Sequence, residues 1–309
     1  SKIIMYHYVR KFKRGFPFFN FLHEYDFKKQ IIFFKKKNSF FSLNDSLKNQ
    51  LYKKHFLLTF DDGLKEHLKI AKYLQKKKIL AIFFISSYPI IKKDFLPIHK
   101  IHLIFGKYDS DRILQIFRKF NIKLQNHKNT FKIFKKQKEL IVNKKKYSEN
   151  DKKIYFKTIL NNIDQTENKI IDKIFNYCFS KYEQKKIFKE FYLSKNDIIK
   201  IDKLGMLVGS HGHLHRVLSK LKKKDQKKDI KFSIKTLSKI LKKKINLFCY
   251  PYGGFNMFNK DTIKILKSLK IEYSFNVESK NCSIKSNNYY LPRFDCNEYK
   301  FGKIYNYKL

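Results

Sequence analysis

The stretch Leu57-Leu58-Thr59-Phe60-Asp61-Asp62-Gly63 narrows what this chain can fold into. A short apolar run, read as a buried strand, ends in two adjacent carboxylates and a glycine. A helical pattern follows, with Leu64, Leu68, Ala71 and Leu74 on one face. Two carboxylates at the carboxyl end of a buried strand are costly to desolvate unless something pairs with them. A divalent cation would do that. The plainer alternative is a turn with an aspartate helix cap.

The rest of the chain repeats the strand-then-helix order. Ile3 to Val9, Phe56 to Phe60, Ile79 to Ile85, Met206 to Gly209, Leu247 to Tyr250, Tyr273 to Val277 and Tyr289 to Leu291 read as strands. Between them lie helical faces: Phe27, Ile31 and Phe34 behind an Asp26 cap; Ile230, Ile234, Leu237 and Leu241; and Ile263, Leu266 and Leu269. The unbroken apolar run Ile79 to Ile85 fits a strand covered on both faces and is far too short to span a bilayer. This order predicts an α/β fold with a parallel sheet and right-handed crossovers. With about seven units, a distorted (β/α) barrel is expected. From 96 to 196 glycine and proline nearly vanish and lysine-rich helical patterns take over, with Ile113, Ile116, Phe117 and Phe120 on one face. Lys144-Lys145-Lys146 and Lys185-Lys186 read as solvated stretches. The expected organisation is a barrel built from 1–95 and 197–309, carrying a helical insertion over 96–196 that could cap the barrel mouth.

At 309 residues the chain carries 70 Lys and Arg against 26 Asp and Glu, a formal net charge of +44. Such a charge suggests nucleic acid or an anionic surface. Only six of the basic residues are Arg, however, and nucleic-acid readers lean on the planar guanidinium fork. Lys, Asn, Ile, Phe and Tyr are all abundant together, a pattern of AT-rich coding, so nucleic acid is not expected as a partner. An anionic membrane surface or an acidic glycan remains a physically sensible one. Cys178, Cys249, Cys282 and Cys296 show no paired spacing, which fits a reducing compartment. The first residues read as a strand, not a leader, so the expected location is cytoplasmic, with association to a membrane as an option.

The second chemical signal is Gly209-Ser210-His211-Gly212-His213-Leu214-His215, which follows a short apolar strand. It therefore falls at the same end of the sheet as Asp61 and Asp62. His211 and His215 meet on one face if a helix starts here, with His213 turned away; in an extended segment all three share a face. Neutral imidazoles at this spacing suit a divalent metal, with Zn2+ the expected ion. Asp62, His211 and His215 would leave positions open for water, as catalytic sites do. A polar turn with exposed histidines is the alternative.

These residues resemble the polysaccharide deacetylase family, also called the NodB-homology or carbohydrate esterase family 4. Its Thr-Phe-Asp-Asp-Gly motif is matched by Thr59 to Gly63. Its His-(Ser/Thr)-x-x-His motif is matched by His211 and His215, with Gly212 at the hydroxyl position. Cys249-Tyr250-Pro251-Tyr252-Gly253 keeps the Pro-Tyr-Gly of the third motif and lacks its Arg. Leu291-Pro292-Arg293-Phe294 is similar to the region that supplies a late arginine. The resemblance implies that Asp61 is the catalytic base and that Asp62, His211 and His215 bind the metal. It also implies that the backbone N–H of Tyr252 serves an oxyanion and that Arg293 keeps Asp61 ionised. No histidine follows Arg293, so the usual C-terminal acid is missing. Met5-Tyr6-His7-Tyr8 is similar to the start of the poly-N-acetylglucosamine deacetylase-like branch, which makes His7 the candidate acid and His213 its competitor. The implied activity is metal-dependent removal of an N-acetyl group from an amino sugar of a surface glycan, glycolipid or precursor. A glycan-binding module with impaired catalysis, and an O-acetyl esterase or deformylase, are the alternatives.

Overall fold

The strands run in chain order as β1 (Lys2–Tyr6), β2 (Val9–Arg10), β3 (Phe21–His23), β4 (Phe56–Phe60), β5 (Ala81–Ile85), β6 (Leu207–Ser210), β7 (Leu247–Cys249), β8 (Tyr273–Phe275), β9 (Phe294–Asp295) and β10 (Ile304–Tyr305). The computed structural model describes residues 1–122, 168–302 and 304–305. Seven of the strands form one sheet in the order β8-β7-β6-β5-β4-β1-β9. Every pairing in it is parallel. Parallel strands need crossovers, and the helices His67–Lys76, Lys223–Leu241 and Lys260–Ser268 supply three of them.

The two edges of the sheet are joined by one segment. Leu291 bridges Phe275 of β8, with Leu291 N–H donating to Ser274 O at 2.8 Å. A few residues later Phe294 and Asp295 pair with Ile4 and Met5 of β1. The sheet is thereby drawn round on itself into the distorted barrel. The expected strand Tyr289 to Leu291 is reduced to that single bridge: Tyr289 and Tyr290 lie in a turn, with Tyr290 N–H donating to Asn287 O at 3.1 Å, and Pro292, which lacks an N–H, limits the ladder beyond it.

Alternation along the strands sorts the side chains. Ile3, Leu57, Ile82, Phe84, Leu247, Cys249, Phe275 and Leu291 pack together as one buried cluster. On the other face Tyr6, Phe60 and Phe83, in register, stack at ring separations of 5.1 and 4.9 Å. Each such fully buried side chain contributes about 1.5–3 kcal/mol. Period two then carries Leu57 and Thr59 on to Asp61, so the first acid continues the inner face.

Local boundaries differ from expectation in two places. Asp26 lies inside the helix Glu24–Lys35 and is buried there, so it is not its cap. The helix after Gly63 starts only at His67, after a turn in which Leu64 bridges Tyr192.

The chain divides into two compact units. The first comprises Ser1–Val9, Tyr25–Asp94 and Glu190–Gly302, and holds the parallel sheet. The second gathers Arg10–Glu24, the described residues of Phe95–Lys189, and the strand β10. Within it, Ile113, Ile116 and Phe117 are the buried face of the helix Ser110–Lys119. Lys100 Nζ reaches Asp172 at 2.8 Å. Lys185 and Lys186 are exposed, whereas Lys144-Lys145-Lys146 lie outside the described residues. No helix among the described residues is long and apolar enough to cross a membrane.

Candidate active site

Asp61 is buried and held by Arg293 through two parallel contacts, Nη1 to Oδ1 and Nη2 to Oδ2, each 2.8 Å. Arg293 is itself fully buried. Its remaining donors reach Thr59 Oγ1 at 3.1 Å, Asn276 O at 3.0 Å and Cys249 Sγ at 3.0 Å. A bidentate, charge-assisted pair of this kind fixes orientation as well as charge. Burial alone would raise the Asp61 carboxyl. Arg293, and after it His211, outweigh burial and lower it to about 2. Cys249, standing where the resembled motif has arginine, accepts from Arg293, and burial pushes its thiol well up. The guanidinium therefore comes from the end of the barrel, into space that a small residue leaves on β7.

Asp62 faces a different set of partners. The chain turns sharply after β4, with φ of 78° at Asp62 and 70° at Gly63. A Cβ on Gly63 would lie 2.9 Å from Ile85 Cγ2, so a side chain there would collide with β5. The turn separates the two adjacent acids. Asp62 Oδ1 stands 3.6 Å from His211 Nε2 and 3.4 Å from His215 Nε2. Two ligands about 2.1 Å from a tetrahedral ion are about 3.4 Å apart. All three residues are buried, and one ligand atom from each lies within 4.8 Å of the others. Two imidazole nitrogens and a carboxylate are a donor set that fits zinc.

The histidines reach this position from a loop, not a helix. Gly212 has φ 75° and His215 φ 53°, and the loop starts with His211 N–H donating to Ile85 O at 3.0 Å. His211 Nδ1 lies 2.8 Å from Cys249 O. A carbonyl can only accept, so Nδ1 carries the proton and Nε2 is left as the donor atom toward Asp62. Burial pushes the His211 imidazole down, against the pull of Asp61 and Asp62, so it stays neutral. His213 faces elsewhere: its Nδ1 is hydrogen-bonded to Ser87 Oγ at 2.8 Å, and its ring lies against Tyr88 and Phe232.

His7 follows β1 at the same end. Its Nε2 is 3.9 Å from Asp61 Oδ2, and its side chain is 38% exposed. Its carbonyl accepts from Nε2 of the fully buried His67 at 3.0 Å. Tyr252 follows β7 with φ 62°, is 41% exposed, and sets its ring 4.8 Å from that of His215. The structure thus brings Asp61, Asp62, His211, His215, Arg293, His7 and Tyr252 to the carboxyl ends of the strands and turns His213 away. Sequence reasoning missed Ser87, His67 and Asp229, and the contact that Cys249 makes with Arg293. Asp229 had a signal, since an acid beside Ile230 on the inward face of a helix calls for a partner.

The family described as polysaccharide deacetylase matches residues 48–274, and the chain belongs to that family. Among solved structures, it is similar to a Streptococcus pyogenes deacetylase, PplD, in complex with acetate: 14% identity, TM-score 0.55, covering 95% of this chain and 91% of that one. It is also similar to IcaB from Ammonifex degensii: 16% identity, TM-score 0.54, covering 95% and 90%. At such identities the likeness is one of fold. A shorter match joins it to the poly-beta-1,6-N-acetyl-D-glucosamine N-deacetylase of Staphylococcus aureus strain MSSA476, 37% identical over 57 residues. That match spans 18% of this chain and 19% of the relative.

Proposed function

We propose that this protein is a metal-dependent hydrolase that removes the N-acetyl group from an amino sugar of a polysaccharide, glycolipid or their precursor. One observation carries the reading: two acids adjacent in sequence serve different partners, Asp61 an arginine and Asp62 a pair of imidazoles. That division suits a base beside a metal centre.

Asp62, His211 and His215 would hold the cation. When bound, it would supply Lewis acidity at the acetyl carbonyl and make a nearby water more acidic. Asp61 stays ionised throughout the neutral range and would accept a proton from the attacking water. His7 would give a proton to the departing amine, so that acetate and a free amine result. The backbone N–H of Tyr252 would donate to the oxygen where negative charge develops, and the exposed Tyr252 ring would meet the sugar.

The amide-linked acetyl group and a glucosamine-type sugar are supported by family membership and by the short likeness to the staphylococcal relative. The charge of +44 favours an anionic form of that glycan or its presentation at an anionic membrane surface. The four buried cysteines fit a reducing compartment, and hence a cytoplasmic precursor. The test is acetate release from β-1,6-linked N-acetylglucosamine oligomers by the zinc-loaded protein, beside an O-acetylated and an N-formylated sugar. Release from the N-acetyl oligomers alone is the expected result. Metal binding with no turnover on any of them would favour a glycan-binding module.

A further inference from the structure

Asp229 sits on the helix Lys223–Leu241, is buried, and has no part in the chemistry above. Its carboxylate points instead at the backbone between those two histidines. Oδ1 accepts from His213 N–H at 2.7 Å and Oδ2 from Leu214 N–H at 3.1 Å. Arg216, the residue after His215, brings Nη2 to 3.5 Å from Oδ2. One carboxylate therefore holds two points between the imidazoles and a third just past His215. The loop leaves room for it: a Cβ on Gly212 would lie 3.0 Å from Asp229 Oδ1, and Gly212 has φ 75°. Losing the hydroxyl of the resembled motif thus leaves this loop well supported, because the acid from the neighbouring helix takes its N–H groups.

We infer that Asp229 is a positioning residue for the metal centre, acting with Gly212 to hold His211 and His215 at the separation the cation requires. The inference rests on the reading of Asp62, His211 and His215 as ligands. Groups that orient metal ligands typically change affinity by about 10- to 100-fold when removed, and Asp229, acting through the loop backbone, belongs at the lower end. Asparagine at 229 keeps the shape but turns an N–H toward one of the two backbone donors. Alanine at 212 pushes the carboxylate away from the same donors.

The test is Zn2+ affinity, by chelator competition on the full chain, together with the ligand-field spectrum of the Co2+ form. Asp229→Asn should weaken Zn2+ binding about 10-fold or more and shift the Co2+ bands. Gly212→Ala should act in the same direction. The double variant should be little worse than either single one, since both remove one interaction. Asp225→Ala, which deletes an exposed acid of the same helix, should leave affinity and spectrum unchanged. Wild-type affinity and bands in Asp229→Asn, with His211→Ala unable to bind, would overturn the inference and leave the ligand reading standing. Fully additive losses from 212 and 229 would also overturn it. A wild-type chain that binds neither ion would overturn both.

Discussion

Arg293 and Asp61, 232 positions apart, meet edge to edge with both guanidinium nitrogens 2.8 Å from the carboxylate oxygens and neither group exposed. Breaking a buried pair of this kind leaves an uncompensated charge and costs about 3–5 kcal/mol. Arg293→Ala should therefore lower stability by roughly that amount in urea unfolding. The deacetylase rate should fall as well, because Asp61 would no longer be held. A variant as stable as the parent would mean that the pair is not maintained in solution.

The split between the two acids predicts two different lesions. Asp61→Asn should reduce hydrolysis by about two to four orders of magnitude and leave Zn2+ affinity close to that of the parent. Asp62→Asn should lose the metal first. Equilibrium dialysis alongside acetate release separates them; a loss of metal in Asp61→Asn would mean that the acids exchange roles.

His7 lies near Asp61, and His213 is engaged by Ser87. His7→Ala should slow turnover by about two to four orders of magnitude with little change in KM. His213→Ala should act mainly on stability. A near-normal rate in His7→Ala would return the acid's role to another group.

Acid should destabilise the metal-free protein in two stages. Burial lowers His67 below its ordinary value near 6.5, so the unfolded chain binds the extra proton first. Stability from that histidine is present above about pH 6.5 and is lost as pH falls below it. Asp61, lowered from 3.8 to about 2, contributes stability that is present above about pH 4 and lost on further descent. Its share is roughly 2 kcal/mol. Urea midpoints that do not change between pH 7.5 and 5.5 in the wild type, or that fall equally in His67→Phe, would contradict the first stage.

The strands were legible because β4 and β5 are buried on both faces, and a continuous apolar run says so. Asp61, Asp62, His211 and His215 were legible as a cluster because parallel strands place all their carboxyl ends together. The loop geometry was not. The four-residue spacing of His211 and His215 suggested a helix or an extended run, yet two left-handed residues, Gly212 and His215, bring the imidazoles together. The closing of the sheet by the stretch from Leu291 to Asp295 depends on two edges meeting in space, which local periodicity does not encode. The parts played by Asp229 and Cys249 escaped notice for a related reason: their partners, the loop from His213 to Arg216 and the Arg293 guanidinium, meet them only once the chain has folded.

The central claim is that Asp62, His211 and His215 close around one cation. Metal analysis of the full chain after exposure to Zn2+ and desalting tests it most directly, beside the His211→Ala/His215→Ala variant. The account predicts about one zinc per chain in the parent and almost none in the variant. Equal zinc in both, or none in a folded parent, would contradict it.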